Sequence, residues 1–259
     1  MLTYKIARPT YALLSSVALI GYLVYGGVLL YVAIALAFVY LGLIVYGVFN
    51  VQAGFFLELY TEGSQTDKSI ALTFDDGPSE NTNSVLDILK KHNIKATFFL
   101  IGSKVEAHQE ILKRMVEEGH QLGNHTYHHS KSIGFYTVQK LQNELVSTRA
   151  VVKRYTGLNI KLYRPPFGVT TPNLAKVVSQ LRLNVIGWSV RSFDTTRQSS
   201  ESIIQRIIKE VKPGAIVLLH DDRMKCTTIL ETIIPHLLNK QYTFATVGEL
   251  LKIEVYEND

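Results

Sequence analysis

The chain has 259 residues, a formal net charge of +5 and 47% hydrophobic residues. Its Lys and Arg residues are scattered among Asp and Glu without a basic stripe, so the composition gives no support to nucleic-acid binding. Its one cysteine, Cys226, excludes an internal disulfide framework and a metal site made of several cysteines.

The N-terminal part is uncharged over a length that predicts a membrane anchor. No Asp, Glu, Lys or Arg occurs from Pro9 to Leu57, and about 20 apolar residues suffice for one helical span. Gly26-Gly27 marks a tight turn, so we expect a transmembrane hairpin within residues 1–60, with helices at about 10–25 and 28–49. One long helix would overshoot the bilayer, and a cleaved signal peptide has a shorter apolar core. A buried hairpin of a soluble protein is the remaining alternative.

The rest of the chain has the composition of one globular domain, which we expect at 69–259 after a polar linker at 61–68. Apolar runs alternate with segments of helical spacing, which predicts a parallel sheet with right-handed crossovers. The expected strands are Ile70–Phe74, Ala96–Ile101, Gln121–Gly123, Lys161–Tyr163, Asn184–Trp188, Ala215–Leu219 and Tyr242–Thr246. The expected helices are Ser84–His92, Val105–Glu118, Thr137–Tyr155, Pro172–Leu181, Glu201–Val211 and Thr228–Leu238.

Seven strand–helix units of this kind fit a small, incomplete α/β barrel better than an open sheet. In such barrels the chemistry gathers at the carboxyl ends of the strands. Titratable side chains follow almost every expected strand, at Asp75-Asp76, His125, Arg164, Asp194 and His220-Asp221. We therefore expect these side chains on one face of the barrel.

Two carboxylates end the first strand, in Thr73-Phe74-Asp75-Asp76-Gly77-Pro78. Neighbouring side chains on a strand point to opposite faces, but this alternation can relax where the strand enters the Gly-Pro turn. Both carboxylates could then face one cleft, where one binds a metal and the other moves a proton. An ordinary turn is the alternative, because Asp, Gly and Pro are common turn residues.

The segment Asn124-His125-Thr126-Tyr127-His128-His129 carries two histidines four residues apart. If the segment turns into a helix, His125 and His129 lie on one face and can bind one metal, while His128 points elsewhere. Thr126 stands where a metalloprotease motif needs Glu. Together with Asp76, the two histidines make a two-histidine, one-carboxylate site with open positions. A solvated surface is the alternative.

Three later stretches complete the set. Tyr163-Arg164-Pro165-Pro166-Phe167-Gly168 is a proline-stiffened loop that can hold an N–H towards an oxyanion, or a rigid turn with a surface Arg. Asp194, after Trp188, can orient a histidine and raise its pKa, or be an exposed loop carboxylate. His220 closes a buried strand within reach of Asp194 and suits a general acid, or is a satisfied core histidine.

These five stretches together resemble the polysaccharide deacetylases, the family 4 carbohydrate esterases with a NodB homology domain. The resemblance covers about Lys68 to Val247. The Thr73–Pro78 and His125–His129 stretches are highly specific in combination, and their order and spacing match. The resemblance implies a distorted (β/α)7 barrel, in line with the strand count. It also implies removal of N-acetyl groups from amino-sugar residues of a glycan such as peptidoglycan or a chitooligosaccharide.

The resemblance further implies which residues move protons. Asp75 matches the catalytic base and His220 the catalytic acid. Arg164 matches the arginine that positions the base, and Asp194 matches the aspartate that tunes the acid.

The same resemblance implies which residues bind. Asp76, His125 and His129 match the ligands of one divalent ion, usually zinc and sometimes cobalt or nickel. Phe167 stands where the family commonly has Tyr and is expected to supply the backbone N–H of the oxyanion site. Leu218 matches the leucine that helps to form the acetyl pocket.

The chain departs from the family in the fourth stretch, which usually runs Asp-x-x-Asp-Trp. Arg191 replaces the first Asp and Thr195 replaces the Trp, so the substrate groove and the tuning of the acid are expected to differ. Three rival interpretations remain for the whole site. They are a deformylase or deacetylase of a lipid-linked sugar at the membrane, a non-haem iron oxygenase with the same metal triad, and a non-catalytic glycan-binding module.

Only a few charged residues indicate on which side of the membrane the globular domain lies. Lys5 and Arg8 favour a cytoplasmic N-terminus, and a hairpin would then return the domain to the cytoplasm. Glu58 and Glu62, beyond the second expected span, are untypical of a cytoplasmic flank. Polymeric wall substrates lie outside, so we expect an integral protein of the cell membrane with an extracytoplasmic domain.

Overall fold

Two apolar helices precede the α/β part of the chain in the structure, a computed structural model that describes residues 3–257. Helix α1 is Tyr4–Tyr25 and helix α2 is Val28–Phe49. They pack side by side, with the rings of Tyr11 and Tyr40 stacked 4.1 Å apart. Gly26 and Gly27 form the turn with φ of 65° and 62°, which glycine adopts without steric cost.

Helix α1 begins earlier than expected, at Tyr4 instead of about residue 10. The expected start rested on where the charges end, but Lys5 and Arg8 are good helix formers and do not stop a helix. Pro9 lies inside the helix, where it removes one backbone donor. The outermost residues of the expected anchor and domain, 1–2 and 258–259, lie outside the described residues.

Both helices are long and apolar enough to cross a membrane, by length and composition. Little of them is buried against the protein: 11% of the apolar window of α1 and none of that of α2. Apolar surface exposed on this scale is rare in soluble monomers, which disfavours the alternative of a buried core hairpin.

The rest of the described chain folds as alternating strands and helices, as expected. The strands are β1 Ser69–Asp75, β2 Thr97–Leu100, β3 Gln121–Asn124, β4 Leu162–Tyr163, β5 Asn184–Val185, β6 Val190–Arg191, β7 Ile216–His220 and β8 Thr243–Phe244. The helices are α3 Glu80–Lys91, α4 Gly102–Val105, α5 Gln109–Glu117, α6 Val138–Thr156, α7 Pro172–Gln180, α8 Ser200–Glu210, α9 Lys225–Asn239 and α10 Val247–Leu251.

The sheet is parallel throughout and curls into the expected distorted barrel. Its strand order is β5-β4-β3-β2-β1-β7-β6, and β8 also pairs with β1. The edge strands β5 and β6 are neighbours in the chain, so residues 186–189 join the two edges. The Ile186 N–H donates to Tyr163 on β4, and the Ser189 N–H donates to Ile216 on β7. The expected strand Asn184–Trp188 is thus only two residues long, β5, and the seam and the further short strand β6 follow it.

The chain before β1 forms backbone hydrogen bonds with the two sides of this seam. The Tyr60 N–H donates to the carbonyl of Val185, and the Tyr60 carbonyl accepts from the N–H of Gly187. Gly63 donates in the same way to Gly214. Sheet edges leave backbone groups unpaired, and this segment pairs them.

The C-terminal end of α2 is fixed to the loop that follows β4. Thr170 donates its N–H to the carbonyl of Val48 and its hydroxyl to the carbonyl of Gly47. The backbone of Gly47 also lies against the ring of Phe55, whose carbonyl accepts from the N–H of Tyr4 at the start of α1. Both ends of the hairpin therefore meet at one point of the barrel.

The chain just beyond α2 lies against the barrel wall. Val51 packs with Trp188 and Leu218 in a small buried cluster, and the side-chain amide of Gln52 donates to the carbonyl of Trp188. The hairpin is therefore joined to the barrel by packed and hydrogen-bonded chain.

Strand β1 directs two side chains into the barrel. It is buried along almost its whole length, as expected of a central parallel strand. Phe74 faces the helices, where its ring stacks on Phe98 at 4.9 Å. Because side chains alternate along a strand, Thr73 and Asp75 point to the opposite side, into the barrel interior.

We predict that Gly47→Ala loosens the contact between hairpin and barrel. An added β-carbon would lie 2.2 Å from a ring carbon of Phe55 and 2.9 Å from its Cβ, so the ring or the helix must move. We expect the unfolding free energy to fall by about 1–3 kcal/mol. This would appear as a lower melting temperature in detergent and faster proteolysis within residues 50–60.

The matched control is Gly42→Ala on the same helix, because nothing lies within 4 Å of its added β-carbon and alanine favours a helix. Equal melting temperatures for the two variants would contradict the prediction.

Candidate active site

Arg164 occupies the interior of the barrel, where it is fully buried. Its Nη1 donates to Asp75 Oδ1 and to Thr73 Oγ1, both at 2.8 Å. Its Nε and Nη2 donate to the carbonyls of Ile186 and Gly187 at the barrel seam. A buried ion pair is tolerated when hydrogen bonds complete it, and these contacts fix the orientation of the Asp75 carboxylate.

The electrostatics of Arg164 reflect this burial. Burial lowers the pKa of Arg164 from its ordinary value, and the charge and hydrogen bond of Asp75 oppose that shift. The guanidinium carbon also lies 4.1 Å from the centroid of the Phe99 ring, a cation–π contact.

Asp75 and Asp76 face one cleft, as the sequence indicated. Asp76 has a φ of 71°, which breaks the strand alternation directly after β1. One oxygen of each carboxylate lies 3.6 Å from Nε2 of His125. The uncommon backbone of Asp76 is thus what turns its side chain towards Asp75.

Asp76, His125 and His129 form a candidate metal centre, with one donor atom from each within 4.8 Å of the others. Asp76 Oδ1 lies 3.3 Å from Nε2 of His129 and is buried without a hydrogen-bond partner. Buried polar atoms normally have partners, so an unpaired carboxylate oxygen facing two imidazole nitrogens fits a divalent ion. Three protein ligands leave positions open for water and substrate.

The tautomer of His125 suits this role. Its Nδ1 lies 2.8 Å from the carbonyl of Arg164 and donates to it, which leaves the Nε2 lone pair facing Asp76. Burial lowers the pKa of His125 to about 3, with the nearby His129 acting in the same direction. The neutral imidazole is the form that binds metals.

The histidine segment is not a helix, so the expected reason for the convergence of His125 and His129 was wrong. Thr126 and His129 instead have positive φ, 67° and 49°. Asn124 Oδ1 accepts from the N–H of Thr126, and Thr126 Oγ1 accepts from the N–H of His129. These side chains give the backbone local partners that compete with a helix, and the resulting turn brings the two rings together.

Glu144 of α6 holds the other side of this turn, a role that the sequence reading missed. Its Oε2 accepts from the N–H groups of Tyr127 and His128, and its Oε1 lies 2.8 Å from Nδ1 of His128. His128 therefore points away from the metal ligands, as expected. A buried Glu beside Leu145 on an apolar helix face was the signal available in the sequence.

His220 and Asp194 form a second buried pair at the end of β7. His220 Nδ1 lies 2.7 Å from Asp194 Oδ1, and the His220 N–H donates to Asp194 Oδ2. Burial by itself lowers the pKa of His220, but the hydrogen bond and charge of Asp194 outweigh it, and the pKa rises to about 9. The Ser192 hydroxyl also donates to Asp194 and steadies the carboxylate.

Phe167 presents a backbone N–H at the pocket. Its φ is 59°, and its N–H has no hydrogen-bond partner among residues 3–257. Its ring lies 4.7 Å from the ring of His129. Gly168 has a φ of 71°, and a β-carbon there would lie 2.8 Å from Trp188, so only glycine lets the loop approach this closely.

One cavity of about 470 Å³ unites these groups. Of the residues expected at the site, it is lined by Asp75, Asp76, His125, His129, Phe167, Leu218 and His220. Arg164 and Asp194 lie behind this lining, as residues that position others. The cavity is also lined by residues to which the sequence reading gave no role: Trp188, Lys104, Lys131, Asp222 and Arg223.

Comparisons with known proteins agree with this geometry. The polysaccharide deacetylase family model matches residues 62–186. The chain is 37% identical over 188 residues to the peptidoglycan-N-acetylglucosamine deacetylase PgdA of Listeria monocytogenes, covering 72% of this chain and 40% of that protein. It is 36% identical over 194 residues to the peptidoglycan-N-acetylmuramic acid deacetylase PdaA of Bacillus subtilis, covering 73% of each.

A solved structure of a peptidoglycan deacetylase is also similar to this chain. The Bc1960 peptidoglycan N-acetylglucosamine deacetylase superposes with a TM-score of 0.73 at 32% identity, covering 76% of this chain and 94% of that chain. The chain therefore spans less than half of the Listeria protein and most of the other two.

We predict that Asp194→Asn lowers the pKa of His220 from about 9, because it removes the charge that outweighs burial, while the smaller effects of the Asp75 and Asp76 charges remain. The His220 ring proton resonances, followed by NMR over pH, measure this shift. The raised pKa means that the pair stabilises the fold fully below pH 6.5 and loses this stabilisation as pH rises through about 9.

The control is Ser192→Ala, which removes one hydrogen bond to Asp194 but keeps its charge and should leave the pKa of His220 raised. An unchanged pKa in Asp194→Asn would rule out the pair as the cause.

Proposed function

Because the chain belongs to the polysaccharide deacetylase family, we propose that it is a hydrolase that removes N-acetyl groups from amino-sugar residues of a glycan. Peptidoglycan and chitooligosaccharides are the candidate substrates, since the relatives are named for action on N-acetylglucosamine and N-acetylmuramic acid residues of peptidoglycan. The match to the family confirms the resemblance drawn from the motifs.

One observation carries this proposal. A carboxylate held by a buried Arg and an imidazole held by a buried Asp line the same cavity as the three candidate metal ligands. Amide hydrolysis needs a group that takes a proton from water and another that gives a proton to the leaving amine. Asp75 and His220 supply these two groups.

The family is metal-dependent, and Asp76, His125 and His129 are the residues that would hold the ion. We propose zinc, because two imidazoles and one carboxylate with open positions suit it; cobalt and nickel are the alternatives. A bound divalent ion would polarise the acetamide carbonyl and make water a stronger nucleophile at neutral pH.

The residues of the chain then divide the proton transfers. Asp75 takes a proton from the attacking water, with its carboxylate oriented by Arg164. His220 is an imidazolium below its raised pKa of about 9, so it can protonate the leaving amine. Because Asp194 binds Nδ1 of His220, the proton donated to the amine comes from Nε2.

Two further groups hold the reacting amide. The Phe167 N–H is free to donate to the oxyanion that forms when water attacks, a type of contact that stabilises the transition state. Leu218 and Trp188, packed together in the wall of the cavity, form an apolar surface suited to the acetyl methyl group.

The three alternative functions agree with this geometry to different degrees. An iron oxygenase would use the candidate metal triad, but its reaction does not require the Asp75–Arg164 and His220–Asp194 pairs. A non-catalytic glycan-binding module leaves the same pairs without a purpose. A deacetylase or deformylase of a lipid-linked sugar stays a second candidate, because Val51, just beyond α2, packs against the cavity wall at Trp188.

We also propose that the hairpin is a membrane anchor and that the barrel is extracytoplasmic. Support comes from the length of α1 and α2 and from their exposed apolar surface, together with the position of wall glycans outside the cell. We propose in the same way that the anchor ends at residue 60 and that the catalytic domain begins at residue 69.

We predict that Asp75→Asn and His220→Ala each lower acetate release from N-acetylated chitotetraose or peptidoglycan by about a hundredfold to ten-thousandfold. The reason is that each variant removes one of the two proton transfers. Wild-type rates of acetate release in both would overturn the mechanism. Formate release from an N-formyl amino sugar, without acetate release from these substrates, would favour the lipid-linked deformylase. A requirement for oxygen would favour the oxygenase.

Metal analysis of the same variants is the control. Asp75→Asn and His220→Ala should keep the ion, because neither residue is a proposed ligand, whereas His129→Ala should lose it. Equal zinc content in His129→Ala and the wild type would contradict the proposed ligand set.

We predict that protease added to spheroplasts cleaves the barrel while the membrane is intact. The reason is that an extracytoplasmic domain is reachable from outside without lysis. A cytoplasmic marker protein that stays intact serves as the control. Cleavage only after lysis would place the domain in the cytoplasm.

A further inference from the structure

Arg191 brings an exposed positive charge to the wall of the active-site cavity. It ends β6 and is the register partner of Leu218 on β7, and both residues line the cavity. Residues in register on neighbouring strands project on the same face. The charge of Arg191 therefore lies beside the apolar surface that would hold the acetyl group.

Two aromatic rings support this guanidinium. Its Cζ lies 4.8 Å from the ring centroid of Phe193 and 5.7 Å from that of Trp188. Such cation–π contacts use the faces of the rings and of the guanidinium, so the N–H donors at its edge stay available to a ligand.

Two of the three carboxylates that line the cavity are paired with cations. Asp75 pairs with Arg164, and Asp222 pairs with Arg223 and Lys104. Asp76 faces the imidazoles of His125 and His129 in the candidate metal centre. Within residues 3–257, Arg191 has neither a carboxylate within ion-pair distance nor a hydrogen bond from its side chain. Lys131, which also lines the cavity, is likewise without a carboxylate partner there, but only Arg191 is in register with Leu218. The cavity thus offers an unmatched cation to whatever binds there.

We propose that Arg191 is an anion-binding subsite and that the substrate is an acidic amino-sugar glycan, with a carboxylate or phosphate close to the N-acetyl group that is removed. The planar guanidinium presents paired donors that match these two anions. The inference rests on the proposed deacetylase function and specifies its substrate.

The resemblance of the sequence to the family motif adds to this argument. The family motif usually has Asp at the position of Arg191, so the charge in the wall of the groove is reversed in this chain. A reversed charge disfavours a substrate with a cationic group there and favours an anionic one. Peptidoglycan offers such a carboxylate on the lactyl ether of N-acetylmuramic acid, and a lipid-linked sugar offers a diphosphate.

Three soluble probes separate these sources. They are N-acetylated chitotetraose, which is neutral, a peptide-free peptidoglycan tetrasaccharide with lactyl carboxylates, and chitotetraose with a diphosphate at its reducing end. For the full chain in detergent, we expect kcat/KM to be at least tenfold higher for one anionic probe than for the neutral one. The preferred probe identifies the carboxylate or the phosphate as the anion.

Arg191→Gln should raise KM for the preferred anionic probe by about tenfold, because a charge-assisted hydrogen bond contributes on this scale. It should change kcat/KM for the neutral probe less than about twofold. Arg191→Lys should recover part of the preference through charge alone, and high salt should weaken it.

The matched control is Arg206→Gln. The Arg206 guanidinium also lies over the Phe193 ring, at 4.6 Å, but Arg206 does not line the cavity. It should leave the kinetics of all three probes unchanged. A loss of the anionic preference in Arg206→Gln equal to that in Arg191→Gln would overturn the assignment.

Calorimetric binding of the same probes to metal-free protein separates this inference from the proposed function. Equal affinity of wild type and Arg191→Gln for each probe would overturn the anion subsite, whether or not acetate is released. Absence of acetate release from all three probes with the metal bound would overturn the deacetylase function. A binding preference for an anionic probe that depends on Arg191 would still support the subsite.

Discussion

The site depends on one buried residue, Arg164, which contacts both Asp75 and the candidate metal ligand His125. Its guanidinium holds Asp75 and Thr73 of β1 and closes the barrel seam through the carbonyls of Ile186 and Gly187. Its own carbonyl accepts from His125 and thereby sets the tautomer of a candidate metal ligand. Removing this cation would leave an unpaired carboxylate in the barrel interior, which is costly. The closure of the barrel, the proposed base and the candidate metal centre therefore depend on the same side chain.

A strained backbone is the second common element. Five of the nine non-glycine residues with positive φ in the described chain lie in the loops around the cavity: Asp76, Thr126, His129, Phe167 and Phe193. Such conformations cost of order 1 kcal/mol or more each and persist when the surroundings hold them. Here Glu144, the Asn124 side chain and the closed barrel provide that support, so the stability of the core maintains the geometry of the site.

Much of this could be read from the sequence, because periodic patterns report burial directly. The seven expected strands and the hairpin rest on such patterns, and the five motifs supplied the candidate metal ligands and the proposed proton-transfer residues, but not Lys104 or Lys131 in the cavity wall. Contacts between distant segments left no comparable signal. The early end of the strand expected at Asn184–Trp188 goes with the pairing of Tyr60 to the seam. The histidine turn depends on Glu144, which comes later in the chain. Arg191 could be seen as a departure, but its lack of a partner could not.

The attachment of the hairpin to the barrel has a consequence for which glycans can be reached. Thr170 forms hydrogen bonds with the end of α2, and Val51 and Gln52 beyond it contact Trp188 in the barrel wall. The connection between hairpin and barrel is therefore rigid and not a flexible linker. With the hairpin in the bilayer, as proposed, the cavity is held at a fixed height above the lipid surface. Glycan strands passing through that layer shortly after synthesis would be modified, and strands already displaced outwards would escape. The distribution of free amines in the mature wall would then depend on how far each glycan strand lay from the lipid surface when the cavity could reach it.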